Sequence, residues 1–501
     1  MNIANILDRA RPYYASKPIC FFKGEESSFS QIYRQVAGLS ATFLDSSVQK
    51  GDRIVVLFTN RPELLVSLFA IWAVGAVAVP INPALAAPEV CTIIDHCEPM
   101  LVVAERQLSH LLVGSRVEFK LVGMDPEATS VWPRLVETLA PHFEVASMQP
   151  TDPALIYYTS GTTGMPKGVV ISHTAALATV EMFSRHLMVE SADRLLITGP
   201  MAFILHLTMN ALTGINGGAS IVILEKFHPD VVFKEIDRYQ ITVLIAVPTA
   251  YTMMLNSLNG RRTALPSVRW AISAGAAFPE TLSQRILHGL GIPVFDLWGM
   301  TECGPITTYD PARDKAGRPD SCGRLLPSCE IRIIDDDFGD LNVGDVGEVI
   351  LRCPGLMSGY YKNARSTSEA IVDGWMRSGD LGKLDADGFL YIVGRKKDLI
   401  IRGGANIYPV DIEDVLYSHQ AVGECAVVGV PDQTFGEVVK AFVVIREGMD
   451  IECSALLDYC RCHIAEYKVP SQIEIVGALP KGATGKILRG RLRDMPATKT
   501  S

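Results

Sequence analysis

The chain has 501 residues, of which 48% are hydrophobic and 20% charged, a globular balance on a chain too long for one core. Two or more domains are therefore expected. A formal net charge of −9 argues against a nucleic-acid surface, so any anionic substrate must be held by a few local groups. The N-terminus lacks a basic start followed by a long apolar run, and predicts no secretory signal. From Gly51 onward short β-branched runs alternate with helical stretches: Arg53-Ile-Val-Val-Leu-Phe, Ala76-Val-Ala-Val-Pro, Leu101-Val-Val-Ala, Ser220-Ile-Val-Ile-Leu and Thr242-Val-Leu-Ile-Ala-Val. Such near-continuous apolar strands predict parallel sheets covered on both faces. The apolar stretch Leu64 to Val79 is shorter than the roughly 20 residues a bilayer demands, and predicts a helix leading into a strand.

Turn residues then cluster at Asp335-Asp-Asp-Phe-Gly and Asn342-Val-Gly-Asp-Val-Gly-Glu, between strands Glu330 to Ile334 and Glu348 to Arg352. This predicts a mainly antiparallel subdomain. A polar stretch at Lys396-Lys-Asp places a boundary near Lys397, dividing residues 1–396 from 397–501. Beyond it, a helix from about Val410 and a strand at Glu424 predict a small α+β domain. The eleven cysteines include no CxxC pair, and Cys453, Cys460, Cys462 and His463 fit no common zinc spacing. Reduced thiols in a cytoplasmic protein are the expectation, and the final Thr-Lys-Thr-Ser matches no lipidation or peroxisomal ending.

The segment richest in chemistry is Tyr158-Thr-Ser-Gly-Thr-Thr-Gly-Met-Pro-Lys-Gly168, after the apolar Ala154-Leu-Ile-Tyr. Its glycines Gly161 and Gly164 let a loop approach phosphate closely, and Thr159, Ser160, Thr162 and Thr163 supply hydroxyls alongside backbone N–H donors. Lys167 adds a positive charge at the end. The spacing fails the Walker A pattern.

With five later segments in order, this one resembles the acyl-adenylate-forming (AMP-binding) superfamily, which includes acyl-CoA synthetases, peptide-synthetase adenylation domains and beetle luciferases. The later segments are Ser273-Ala-Gly-Ala-Ala, Leu297-Trp-Gly-Met-Thr-Glu302, Ser378-Gly-Asp-Leu, Gly394-Arg-Lys-Lys-Asp-Leu-Ile-Ile-Arg-Gly-Gly-Ala-Asn406, and Leu479-Pro-Lys-Gly-Ala-Thr-Gly-Lys486. The resemblance implies an α/β fold: a large N-terminal domain of two parallel-rich α/β subdomains plus a small antiparallel β subdomain, and a small mobile α+β C-terminal domain. It implies ATP, Mg²⁺ and coenzyme A as the small molecules used.

The resemblance also carries roles. Trp298 offers an aromatic plane for adenine, although the family more often has tyrosine there, and Gly299 and Thr301 stand in the same segment. Glu302 is the implied Mg²⁺ ligand, in keeping with that ion's preference for hard oxygen donors. Gly275, Ala276 and Ala277 resemble the small-residue loop beside adenine. Asp380 and Arg395 resemble the ribose-binding aspartate and its neighbouring arginine. Lys486 resembles the lysine that stabilises charge on the carboxylate and α-phosphate during adenylation, together with Thr163. Lys397 matches the hinge about which the C-terminal domain turns, and Gly403 and Gly404 resemble the loop lining the thiol tunnel.

The acyl pocket is expected to draw on Phe203, His206, Tyr251 and Met300. No aspartate stands between Pro200 and Gly217 to pair with an α-ammonium group, so a non-amino acid is expected, whether fatty, branched or aryl. Fifteen residues follow Lys486, leaving no room for a fused carrier domain. The expected acceptor is free coenzyme A, with a separate acyl carrier protein as the alternative. No membrane span is expected, and the resemblance is compatible with an oligomer.

Overall fold

The computed structural model describes residues 1–117, 119–124, 142–159, 166–310, 313–314, 318–446, 448–482 and 487–495. Its strands form four sheets. The apolar runs read from the sequence supply the centres of the two largest. In the seven-stranded sheet, Arg53–Leu57, Val77–Ile81 and Leu101–Glu105 are parallel neighbours, and every residue of the latter two is buried. The helix Pro62–Ala73 leads into Val77–Ile81 as expected. It starts on a proline, whose missing N–H is harmless in a first turn. Ten consecutive residues from Leu64 are buried, so the helix lies inside the protein on all sides. Trp72 is 0% exposed and donates its indole N–H to the Ala154 carbonyl at 2.9 Å, which joins this helix to the next strand of the sheet. Burying such a side chain contributes roughly 1.5–3 kcal/mol.

The nine-stranded sheet runs through Pro18–Phe22, Ser220–Ile223, Arg194–Ile197, Val243–Ala246, Trp270–Ala274 and Phe295–Met300, all parallel. Gly304–Thr308 then turns back antiparallel along Phe295–Met300. The third sheet, five-stranded and antiparallel, contains Glu330–Ile334, Gly347–Arg352, Trp375–Leu384 and Leu390–Arg395, in line with the turn-rich reading of this region. A 3-10 turn at Lys396–Asp398 separates its last strand from the fourth sheet.

That fourth sheet, of five strands, is built from residues 400–475. Its long hairpin Val422–Asp432 and Gly436–Ile445 is flanked by the helices Pro409–Ser418 and Cys453–His463. Leu416, Leu456 and Cys460 are buried in its own apolar core. The mixed α/β architecture therefore agrees with the expectation from sequence. Among the described residues, no helix is long and apolar enough to cross a membrane.

Candidate active site

The glycine- and hydroxyl-rich segment connects two antiparallel strands, Pro153–Thr159 and Lys167–Ser172, with Thr159 opposite Lys167. Thr159 Oγ1 lies 3.5 Å from the Lys167 carbonyl oxygen. Ser160, Gly161, Thr162, Thr163 and Gly164, expected to contact phosphate, lie outside the described residues. Lys167 itself is half-buried, its ammonium 4.8 Å from the centre of the Tyr360 ring. Tyr360 in turn donates its phenol O–H to Glu302 Oε1 at 2.9 Å. Burial and the adjacent carboxylate push the phenol well up, so it stays protonated as a donor.

Glu302 sits in the turn between Phe295–Met300 and Gly304–Thr308. It is half-buried, and among the described residues no cation pairs with it. A carboxylate removed from water without a counter-ion suits a metal ion. Magnesium is commonly held by one or two carboxylates plus substrate phosphates, so this donor set fits it. The turn is tight: a Cβ on Gly299 would overlap the Gly304 carbonyl oxygen.

Four residues before Glu302, Trp298 is 9% exposed and donates its indole N–H to Asp380 Oδ2 at 2.8 Å. Asp380 is 5% exposed, and its Oδ1 accepts from Arg395 Nε at 2.7 Å. The register explains the second contact: Asp380 and Arg395 face each other across Trp375–Leu384 and Leu390–Arg395. The Asp380 carboxylate is thus buried yet charge-assisted from two sides. The structure brings together Trp298, Asp380 and Arg395, and separately Lys167 and Glu302 through Tyr360.

Gly275, Ala276 and Ala277 form an exposed loop at the end of Trp270–Ala274, with Gly275 at φ +90°. Behind it lie two residues on one sheet face, Ser273, the first residue of the small-residue segment read from the sequence, and Asp296, which sequence reasoning missed. Ser273 and Asp296 are register partners, and Ser273 Oγ and Asp296 Oδ1 are buried without a hydrogen-bond partner. Burial pushes the Asp296 carboxyl up to about 8. The available signal was an acidic residue within the apolar run Phe295-Asp-Leu-Trp. Tyr360 was missed as well, and nothing in Gly-Tyr-Tyr alone points to Glu302.

The expected acyl-pocket residues divide. Phe203 and Met300 are half-buried. His206 is 5% exposed; burial pushes its imidazole down to about 4, so it is neutral, and its Nδ1 has no partner. Gly199 lies against the other side of this ring, where any Cβ would overlap Nε2. Tyr251 is fully buried, its hydroxyl 3.0 Å from the Leu244 carbonyl and 3.1 Å from that of Ile272. Those two strand carbonyls give Tyr251 a framework role.

Lys397 is exposed in its 3-10 turn, and its carbonyl accepts from Arg493 at 3.3 Å. The neighbouring Lys396 is the tethered lysine, 2.7 Å from Asp336 and 3.1 Å from Glu348. Gly403 and Gly404, at φ +56° and +86°, close the two-residue hairpin between Ile400–Arg402 and Ala405–Ile407. Left-handed backbone at both positions is a demand of this turn and accounts for both glycines. Lys486 lies outside the described residues. Among the described residues on either side of it, Lys481 bridges Ile487, and Arg489 is 2.7 Å from Glu413.

Residues 7–361 match the AMP-binding enzyme family, and residues 411–486 match the AMP-binding enzyme C-terminal domain. The chain is 33% identical over 507 residues to the indoleacetate–CoA ligase of Aromatoleum aromaticum, covering 100% of this chain and 99% of that one. It is 31% identical over 529 residues to the long-chain-fatty-acid–CoA ligase of Bacillus subtilis, covering 98% and 94%. Among solved structures, it superposes with a TM-score of 0.86 on o-succinylbenzoate coenzyme A synthetase from Bacillus subtilis in complex with ATP and magnesium, at 28% identity over 98% of this chain and 99% of that one.

Proposed function

We propose a function on one premise: this chain belongs to the AMP-binding enzyme family. On that premise it is an ATP-dependent acid–coenzyme A ligase. It activates a carboxylic acid without an α-amino group, fatty, branched or aryl, and passes the acyl group to coenzyme A. The observation that carries this reading is the pairing of Trp298 with Asp380 and Arg395 beside a half-buried Glu302. Relatives acting on indoleacetate and on long-chain fatty acids support the aryl and fatty classes.

In the first step a substrate carboxylate oxygen attacks the α-phosphorus of ATP and pyrophosphate leaves, giving an acyl-adenylate. Trp298 stacks on adenine, the exposed Gly275, Ala276 and Ala277 let the base approach, and Asp380 accepts from the ribose hydroxyls while Arg395 holds the carboxylate in place. Ser273 and Asp296 offer partnerless polar atoms on the same sheet face as Trp298. The loop Thr159, Ser160, Gly161, Thr162, Thr163 and Gly164 cradles phosphate with Lys167, and Thr301 adds a hydroxyl. Lys486 stabilises the charge that builds on the attacking and phosphoryl oxygens. A magnesium ion held by Glu302 would neutralise phosphate charge.

In the second step the small domain, residues 397–501, turns about Lys397. The thiolate of coenzyme A then enters past Gly403 and Gly404 and displaces AMP. An exposed hinge lysine, followed by a hairpin of left-handed glycines, supports that motion. The absence of any disulfide among its eleven cysteines suits the cytoplasm.

Pyrophosphate release across fatty, branched and aryl acids, with and without coenzyme A, tests the reading. An acid-specific burst that becomes sustained turnover with coenzyme A is expected. A burst that coenzyme A leaves unchanged would redirect the acyl group to a separate carrier protein. Silence for every acid would remove the ligase assignment.

A further inference from the structure

Between the strand that leaves the phosphate loop and Glu302 lies a short segment, residues 357–361. Its backbone is bonded to both sides. On one side, Met357 N–H donates to the Glu302 carbonyl at 2.7 Å. On the other, Ser358 N–H donates to the Val170 carbonyl at 2.8 Å and Tyr361 N–H to the Gly168 carbonyl at 2.7 Å. The strand Gly359–Tyr360 pairs antiparallel with Lys167–Ser172, the strand that leaves the phosphate loop.

From that position the Tyr360 side chain engages both groups at once. Its O–H donates to Glu302 Oε1 at 2.9 Å, and its ring face receives the Lys167 ammonium at 4.8 Å. Its own N–H donates to Thr367 Oγ1 at 2.9 Å, which fixes the backbone that aims the ring.

We propose that Tyr360 is the positioning residue that sets Glu302 and Lys167 as one unit for the metal–triphosphate. The hydroxyl holds one carboxylate oxygen and so presents the other to the metal. The ring face holds the ammonium without neutralising it, since a cation–π contact attracts the charge and leaves its donors free. A carboxylate partner for Lys167 would compete with phosphate; an aromatic face does not. The proposal rests on the reading that Glu302 carries the magnesium.

The hydroxyl and the ring can be separated. Tyr360→Phe keeps the ring and loses the donor; Tyr360→Leu loses both. The direct readout is binding of Mn²⁺ together with a non-hydrolysable ATP analogue, followed by the paramagnetic resonance of free Mn²⁺. Losing an outer partner of a metal-binding carboxylate typically weakens the metal about tenfold, and Tyr360→Phe should do so. Binding of the analogue in chelator should be unchanged in Tyr360→Phe and weakened in Tyr360→Leu. Circular dichroism of Tyr360→Phe should match the parent and reports that the variant is folded. Metal affinity in Tyr360→Phe within about twofold of the parent would overturn the proposal. Should the parent itself show no metal-assisted nucleotide binding, the Glu302 reading falls first and the proposal with it.

Discussion

The indole N–H of Trp298 and the carboxylate of Asp380 come from segments 82 residues apart and from different sheets, yet they meet at 2.8 Å. Trp298→Phe would keep an aromatic face for adenine and take one donor from a buried carboxylate. A hydrogen bond to a charged group contributes about 1.5–3 kcal/mol, so this variant should unfold at lower denaturant and show a raised KM for ATP with kcat little changed. Unchanged stability and KM would show the contact to be incidental. The sequence made each residue legible separately, Trp298 as a stacking plane and Asp380 as a ribose acceptor. Their contact was not legible, because no local pattern encodes a meeting of two sheets. The same holds for Tyr360 and Glu302, 58 positions apart.

Elements were more legible than contacts. Strand and helix periodicity located five of the parallel strands in the two large sheets and the internal helix Pro62–Ala73, since burial on every side leaves no polar positions to confuse the pattern. Register was the hidden quantity. Asp380 faces Arg395 because the turn at residues 385–389 is fixed by Asp385 Oδ1, which accepts from the N–H groups of Asp387 and Phe389 at 2.9 Å each, and because the register then shifts by one residue between Leu381 and Gly382. The turn bearing Thr301 and Glu302 is equally constrained by Gly299. Gly299→Ala would force the chain away from the Gly304 carbonyl and displace both side chains. Misplacement by about 1 Å can cost around a hundredfold in rate, so adenylate formation should fall by about that factor while circular dichroism still reports folded protein. Retention of full activity would mean that this turn yields without moving Glu302.

Across the whole molecule, six motif segments in fixed order made the family legible before any geometry, and the four sheets place the described ones on shared frameworks. The acid was not legible, because at Phe203, His206 and Met300 core packing and substrate contact select the same residue types. Tyr251 illustrates the ambiguity: the residue read as pocket lining bonds to the carbonyls of two strands. The two ends of the proposed chemistry, Glu302 on one strand turn and Lys397 in the turn before the fourth sheet, belong to one reaction only if an adenylate connects them. Oxygen tracing decides this. With the preferred acid labelled by ¹⁸O in its carboxylate, attack on the α-phosphorus followed by thiol displacement must leave one ¹⁸O atom in the AMP released. Mass spectrometry of that AMP should show the single label; unlabelled AMP, or ADP in its place, would contradict the acyl-adenylate route.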